Sequence, residues 1–527
     1  MSQTHTLIRN GLIIDGTGAD PFAGDVLICD QRIVAVGPEA AASCPADAVA
    51  QDIDATGCRV LPGLIDSHCH ISFDHPNSND ELFFHRRYGL AALVAGVNAQ
   101  KVLRAGFTSF FDADCVFDVG VDLRDAIEGG VIEGPRMTTG GNVLINCVGG
   151  TATRLLPDEG TRGYARIVHT PDEIVREIHK QIKTGVDWIK VHVSGLPIRP
   201  GKEGGEISTW TLDELKLVCD TAHQFGIPVV GHCRNATSTR DAAIAGFDMI
   251  LHATYMDDDA LKAVVDRKVP LVPTFTFQAN LADFGAAIGS DENLRDVFRA
   301  EITESVGTLR AAFDAGVPLA TGSESGFSLT PYGDWHYREL QVFVEDLGMT
   351  PLQAINCATQ QGARALKLEG ELGCIKPDYL AAYKNLIGLF MNHAMYAQAA
   401  EISQIALGVF PQDMALTQQL ALAKQGLKHY QEALQLLREL HRLAPEDPSI
   451  SHNLAVTLRL SNNPTEALEI FERLHAATQT PSYELLQNKG NAHADLGQLE
   501  QASECYKQVI KLQPNYVPAH ENLTSIL

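Results

Sequence analysis

The sequence predicts an α/β chain in two parts: a (β/α)8 TIM-type barrel preceded by a small β-domain, then an all-α solenoid. Three observations predict it. Apolar strand-like runs, each followed by an amphipathic helical stretch, recur over roughly 260 residues in the number such a barrel needs. The pattern changes abruptly near residue 378, from Gly- and Pro-rich alternation to nearly unbroken helical periodicity. Beyond that point Ala399, Ala433, Ala467 and Ala502 recur at spacings of 34, 34 and 35 residues, a period that belongs to stacked helix pairs.

The first elements are short. Thr6–Arg9, Asp25–Cys29 and Arg32–Val36 are apolar runs joined by Gly, Asp and Pro turns, and they read as strands of a β-structure over 1–60. The barrel rhythm then occupies 61–378. Its runs are Val60–Ile65, Phe107–Phe111, Pro135–Thr139, Asp187–Val193, Ile227–Gly231, Asp248–Leu251, Pro270–Phe275 and Val317–Ala320. Helical stretches between them include Thr170–Thr184, Thr211–Phe225 and Ser290–Ala315. A doubly wound sheet is the structural alternative. It would usually have fewer strands and a glycine-rich phosphate loop, and no such loop follows the first run.

Four helix pairs are expected over 380–413, 414–447, 448–482 and 483–516, with a partial capping helix in 517–527. Each recurring alanine opens the second helix of its pair. Leu437, Phe471 and Tyr506 follow four residues after the last three, and Pro411, Pro445 and Pro514 close three units. A small residue lets two helices approach, and the large one fills the next layer. The pattern resembles the tetratricopeptide repeat, which implies a protein or peptide partner.

Composition bounds the function. A chain of 527 residues with a formal charge of −24 is poorly suited to nucleic acid, which requires clustered Lys and Arg. No signal-like segment opens it and no apolar run reaches a spanning length of about 18 residues. Its 11 cysteines are scattered without a CxxC pair. An unexported, cytoplasmic protein with no membrane partner is expected.

Candidate chemistry sits at predicted strand ends, where barrel enzymes carry their sites. His68 and His70 stand at i and i+2 after the first run and so face one side. Lys190 lies in the fourth run, His232 ends the fifth, His252 ends the sixth, and Glu324 follows the eighth. A lone histidine at a strand end is usually structural; candidates in phase on five strands point to a metal.

Around these residues the chain resembles the metal-dependent amidohydrolase superfamily, in its imidazolonepropionase-like branch with Xaa-Pro-type dipeptidases. The resemblance covers about residues 5–378. It rests on Leu61-Pro62-Gly63-Leu64-Ile65-Asp66 before the histidine pair, Gly106-Phe107-Thr108-Ser109, Gly134-Pro135-Arg136 and Pro351-Leu352-Gln353-Ala354-Ile355. It implies hydrolysis of a small amide, dipeptide, carbamate or urea by a metal-activated water. His68 and His70 would hold the more buried metal, and His232 and His252 the more exposed one. Lys190, carboxylated by CO2, would bridge them. Zinc is the expected metal, with manganese or cobalt as alternatives. The strand-eight acid would act as proton carrier. His192, Tyr88, Arg136, Trp335 and His336 are substrate-facing candidates, each also readable as a structural or surface residue.

Two departures from the family follow. Its strand-eight acid is normally Asp, and Glu324 replaces it here, which leaves one metal or two open and allows an impaired barrel. The turn Leu372-Gly373-Cys374-Ile375-Lys376-Pro377 normally returns the chain to the β-domain, but the repeats begin at once. A fusion is expected, with the two halves folding separately and the barrel destabilised. The alternative is an interaction protein that works through its repeats. Oligomers are compatible with either reading.

Overall fold

The computed structural model describes residues 4–44, 50–74, 81–149, 163–196, 206–327, 329–376, 380–409, 413–478 and 481–526. The chain divides into two units, Met1–Lys376 and Pro377–Leu527. Residues 377–379, where the composition changes, and Pro411 lie outside the described residues.

The first unit opens with a five-stranded sheet. Its central strand, His5–Ile13, pairs antiparallel with Phe22–Cys29 and parallel with Ala50–Asp54 and Arg59–Val60; Arg32–Gly37 completes the other edge. Leu7, Ile13, Val26 and Leu27 are among its buried residues. Ile375 closes this core, and its N–H donates to the carbonyl of Asp15. The join is tight: a Cβ on Gly16 would sit 2.4 Å from the Gly373 carbonyl oxygen, and both glycines have positive φ. Among the described residues, no strand follows Lys376.

The barrel strands are parallel and lie in chain order. The first three are Leu64–Cys69, Phe107–Asp112 and Arg136–Thr139. The next four are Ile189–His192, Val229–Cys233, Met249–His252 and Leu271–Val272. Trp188 N–H donates to the Thr139 carbonyl and joins the two groups. The eighth position is not a regular strand, but Leu319 bridges Leu271, and Ser67 N–H donates to the Thr321 carbonyl, so the ring closes on its first strand. The first strand begins later than its apolar run because Val60 is used by the small sheet, opposite Ile13. Two excursions carried no sequence signal: Leu144–Asn146 with Arg166–Val168, and Ser194–Gly195 with Ile207–Ser208. Both are too short to show a periodicity.

Outer helices begin where local chemistry starts them. Thr170 caps Pro171–Thr184, which ends at a left-handed Gly185. Thr211 with Glu214, and Thr350 with Gln353, form capping boxes. The buried faces of these helices meet the strands in one large cluster that includes Ile178, Val218, Ile250 and Phe343.

The second unit is built of helix pairs. They are Leu380–Asn392 with Tyr396–Val409, Met414–Gly426 with Tyr430–Leu443, Pro448–Leu460 with Pro464–Ala476, and Tyr483–Asp495 with Leu499–Leu512. Val517–Ile526 follows. Ala399, Ala433, Ala467 and Ala502 are all fully buried, one turn into each second helix. Gly490 shows why that layer needs small residues, since a Cβ there would lie 2.7 Å from the Tyr506 ring.

Candidate metal centre

His68 and His70 leave the first strand on the same side, with ring centroids 5.2 Å apart. His68 is as close to His252, at 5.2 Å, and His252 is 4.5 Å from His232. His192 lies opposite His232 in the pairing of strands four and five, with rings 4.8 Å apart. Lys190 is completely buried, and Glu324 is half-buried with a left-handed φ of 53°. Donor atoms of His68, His70 and Glu324 all lie within 4.8 Å of one another. The predicted ligands from strands one, four, five, six and eight therefore converge at one end of the barrel.

Partners orient these rings. His68 Nδ1 is 3.0 Å from the Thr274 hydroxyl, and His70 Nδ1 is 2.5 Å from Asp114 Oδ1. His232 Nε2 is 2.9 Å from Glu206 Oε2. His252 differs: among the described residues, both its buried ring nitrogens lack a hydrogen-bond partner. An imidazole with two unsatisfied buried nitrogens is costly unless something else occupies a lone pair.

The electrostatics point the same way. Burial holds His68 and His252 well below the usual imidazole range, reinforced by the neighbouring Lys190 and histidines. Burial also lowers the Lys190 ammonium, against the pull of Asp114 and Glu324. His192 is pushed down to about 4 by burial. Burial would lower His70 too, but the Asp114 charge lifts it. Burial would raise Asp114, yet His70 and His192 hold it well below the carboxylate range. Burial raises Glu324, partly offset by His70 and Arg234. Two imidazoles and an amine biased toward neutral, lone-pair-bearing forms, beside carboxylates, make a donor set suited to a divalent cation. The residues present thus fit a metal.

The cavity over this cluster is about 250 Å³. Phe83, Tyr164, Leu196, Phe277 and Phe327 form apolar walls, and His192 and Arg234 add polar edges. Four expected substrate residues are placed elsewhere. Arg136 is exposed and begins the third strand, so it sits at the opposite end of the barrel. Tyr88 is 42% exposed and packs edge-on against Phe117. Trp335 packs against Phe284 and Tyr337. His336 is buried and tied to Asp66 at 2.5 Å, bracing the first strand from behind. Local position after strand eight could not separate a wall residue from a brace.

Several residues were missed. Asp114 lies just past strand two and receives the Tyr164 hydroxyl at 2.8 Å. Glu206 and Arg234 flank His232, and Glu301 grips Arg234 from the helix Glu292–Asp314. Asp114 had a detectable signal, a second acid two residues after Asp112 at a strand end. Glu206 and Glu301 had none.

A ring of parallel strands gathers histidines, a buried lysine and an acid at one end, a donor set that fits a metal. The amidohydrolase family profile matches residues 59–383, and the chain belongs to that family. Tetratricopeptide repeat profiles match 425–490 and 490–525, so one chain joins both domains. The chain is 27% identical over 375 residues to an ochratoxinase of Aspergillus niger, spanning 67% of this chain and 75% of the relative. It is 26% identical over 385 residues to an imidazolonepropionase of Cutibacterium acnes, spanning 70% and 85%. Among solved structures, a Xaa-Pro dipeptidase with bound methionine superposes with a TM-score of 0.60 at 27% identity, covering 71% of this chain and 91% of the other. The A. niger ochratoxinase structure gives 0.62 at 24% identity, covering 72% and 88%, a likeness of fold. Among the described residues, no helix is long and apolar enough to cross a membrane.

Proposed function

We propose that the barrel hydrolyses a linear C–N bond in a small amide, dipeptide, carbamate or urea. The observation that carries this is that His68, His70, Lys190, His232 and Glu324, from four strand positions, line one cavity, with His252 packed against His68 and His232 and, among the described residues, both its buried nitrogens without a hydrogen-bond partner. His68, His70, His232, His252, Glu324 and a CO2-carboxylated Lys190 would hold one or two divalent ions, zinc foremost, with manganese or cobalt as alternatives. Bound there, the metal would acidify a water and polarise the scissile carbonyl.

The chain's own residues do the rest. Glu324 faces the cavity, and burial raises its proton affinity, so it suits taking a proton and passing it to the leaving amine. Burial lowers the Lys190 ammonium, which favours the neutral amine that CO2 carboxylates. Asp114 fixes His70, and Glu206 fixes His232. Phe83, Tyr164, Phe277 and Phe327 pack the apolar part of a substrate and keep water out. His192 reaches the same cavity as a substrate contact.

The repeat unit is proposed to bind a protein or peptide partner, with the barrel working as a cytoplasmic enzyme. The second reading, an impaired barrel on an interaction protein, draws on Glu324, whose longer side chain springs from a left-handed backbone. Metal analysis coupled to hydrolysis of N-acyl amino acids, Xaa-Pro dipeptides and carbamates decides between them. Bound transition metal with activity lost in His68→Ala supports the enzyme. A metal-free barrel from zinc-supplemented cells sinks it.

A further inference from the structure

One buried carboxylate beside the cluster, Glu206, faces His232 without being one of the proposed metal donors. Glu206 directly precedes the short strand Ile207–Ser208, which pairs with Ser194–Gly195 beyond strand four. It is 8% exposed. Its Oε2 accepts from the Ser194 hydroxyl at 2.7 Å and faces His232 Nε2 at 2.9 Å. Its Oε1 lies 3.5 Å from Arg234 Nη1, and its backbone carbonyl accepts from Asn235 Nδ2 at 2.9 Å. Arg234 is gripped by both oxygens of Glu301, at 3.0 and 2.5 Å, and its N–H donates to Ser194 Oγ at 2.9 Å. The Glu206 carboxylate is therefore fixed by a hydroxyl and an immobilised guanidinium, and aimed at one nitrogen of one histidine.

An imidazole whose N–H is held by a carboxylate has a set tautomer, a set ring angle and a more basic second nitrogen. The same logic is visible at His70, which Asp114 holds at Nδ1. We propose that Glu206 is a positioning residue for metal binding: it takes the Nε2–H of His232, turns Nδ1 toward the ion, and sets the affinity of the position that His232 shares with His252. This rests on His232 being a metal ligand, as in the function proposed above. The competing role is a brace that only ties residues 194–195 to 207–208 through Ser194 and Asn235.

The test uses the full chain loaded with cobalt(II). Wild type, Glu206→Ala, Glu206→Gln and Ser194→Ala are compared by metal stoichiometry, chelator competition, visible cobalt absorption and far-UV circular dichroism. Glu206→Ala is expected to keep one ion and bind the other about 10–100-fold more weakly, with altered cobalt bands. Glu206→Gln, whose amide oxygen still accepts from Nε2–H, is expected to recover part of that loss. Ser194→Ala takes one hydroxyl from the carboxylate but leaves it beside Arg234 and facing His232, so its loss of metal affinity is expected to be smaller than that of Glu206→Ala. Wild-type affinity and spectrum in Glu206→Ala overturn the proposal. So does a Glu206→Gln chain as weak as Glu206→Ala, or a Ser194→Ala chain that matches it. If Glu206→Ala does not fold, Glu206→Gln against Ser194→Ala decides by the same comparison. A wild-type chain that binds no metal removes the parent reading with it; one that binds a single ion untouched by these changes overturns this proposal alone.

Discussion

Asp66→Ala tests how the first and eighth barrel positions are locked together under the metal cluster. Asp66 is 1% exposed. Its Oδ1 accepts the backbone N–H of His68 at 3.0 Å and of Ser323 at 3.1 Å. Its Oδ2 accepts the Ser323 hydroxyl and pairs with His336 Nδ1, both at 2.5 Å. Removing the carboxylate leaves the buried His68 N–H without its acceptor and takes the carboxylate partner from His336, while the Ser323 N–H keeps the His68 carbonyl at 3.1 Å. Each unsatisfied buried donor costs about 1–3 kcal/mol. The void left by the side chain admits some relaxation, so low values apply, and two such groups give about 3 kcal/mol, at the lower end of the about 3–5 kcal/mol for breaking a buried pair. Asp66→Asn keeps an acceptor for the two backbone donors, and about 1–2 kcal/mol is expected. The assay is urea unfolding followed by tryptophan fluorescence. All three tryptophans, Trp188, Trp210 and Trp335, lie in the first unit, so the signal reports the barrel alone. Far-UV circular dichroism follows the repeat helices in the same samples. An Asp66→Ala loss under about 1 kcal/mol would show that these bonds are replaced by water and carry little net stability.

Three further outcomes are expected. His68→Ala, or dialysis against a strong chelator, should abolish amide hydrolysis and reduce bound metal while leaving the repeat helices folded; full activity in a metal-free chain refutes the site. Phe471→Ala should cost the repeat unit about 3–5 kcal/mol, because Phe471 is fully buried and packs against His452; the fluorescence midpoint should not move, and a single transition shared by both probes would refute independent folding of the two halves. Burial pushes Glu339 up to about 8, despite bonds from Phe275 and Thr276. The folded state then keeps a proton that the unfolded chain has released above its usual 4.5, so barrel stability should fall as pH rises from the unfolded value through the folded one. Glu339→Gln should flatten that slope in urea midpoints taken across pH, and an unchanged slope assigns it to other groups.

Much of the molecule was readable from the chain. Strand-length apolar runs separated by amphipathic helices need few partners to be recognised, so the ring of parallel strands and its helices followed from local pattern. The 34-residue alanine register was legible because each alanine meets the same helix-packing constraint. His68, His70, His232 and His252 could be named as candidates because strand ends in a barrel point to one place. The eighth position was harder: Leu319 makes only an isolated bridge, and its run is too short for a ladder. Tyr88, Arg136, Trp335 and His336 were misplaced because nearness in sequence to a strand says nothing about which end or which side a long side chain reaches.

The sequence alone pointed to the two-part architecture and the family and put the candidate donors at strand ends, since each of these is read from spacing along the chain. The tertiary structure alone decided what those donors face. It set Asp114 against His70 and Glu206 against His232, left both nitrogens of His252 without partners, and turned His336 from the pocket to Asp66. These pairings join residues up to 270 positions apart. They follow from how strands and loops close around a buried cluster, where an unpaired polar group is expensive, and no local pattern encodes that closure.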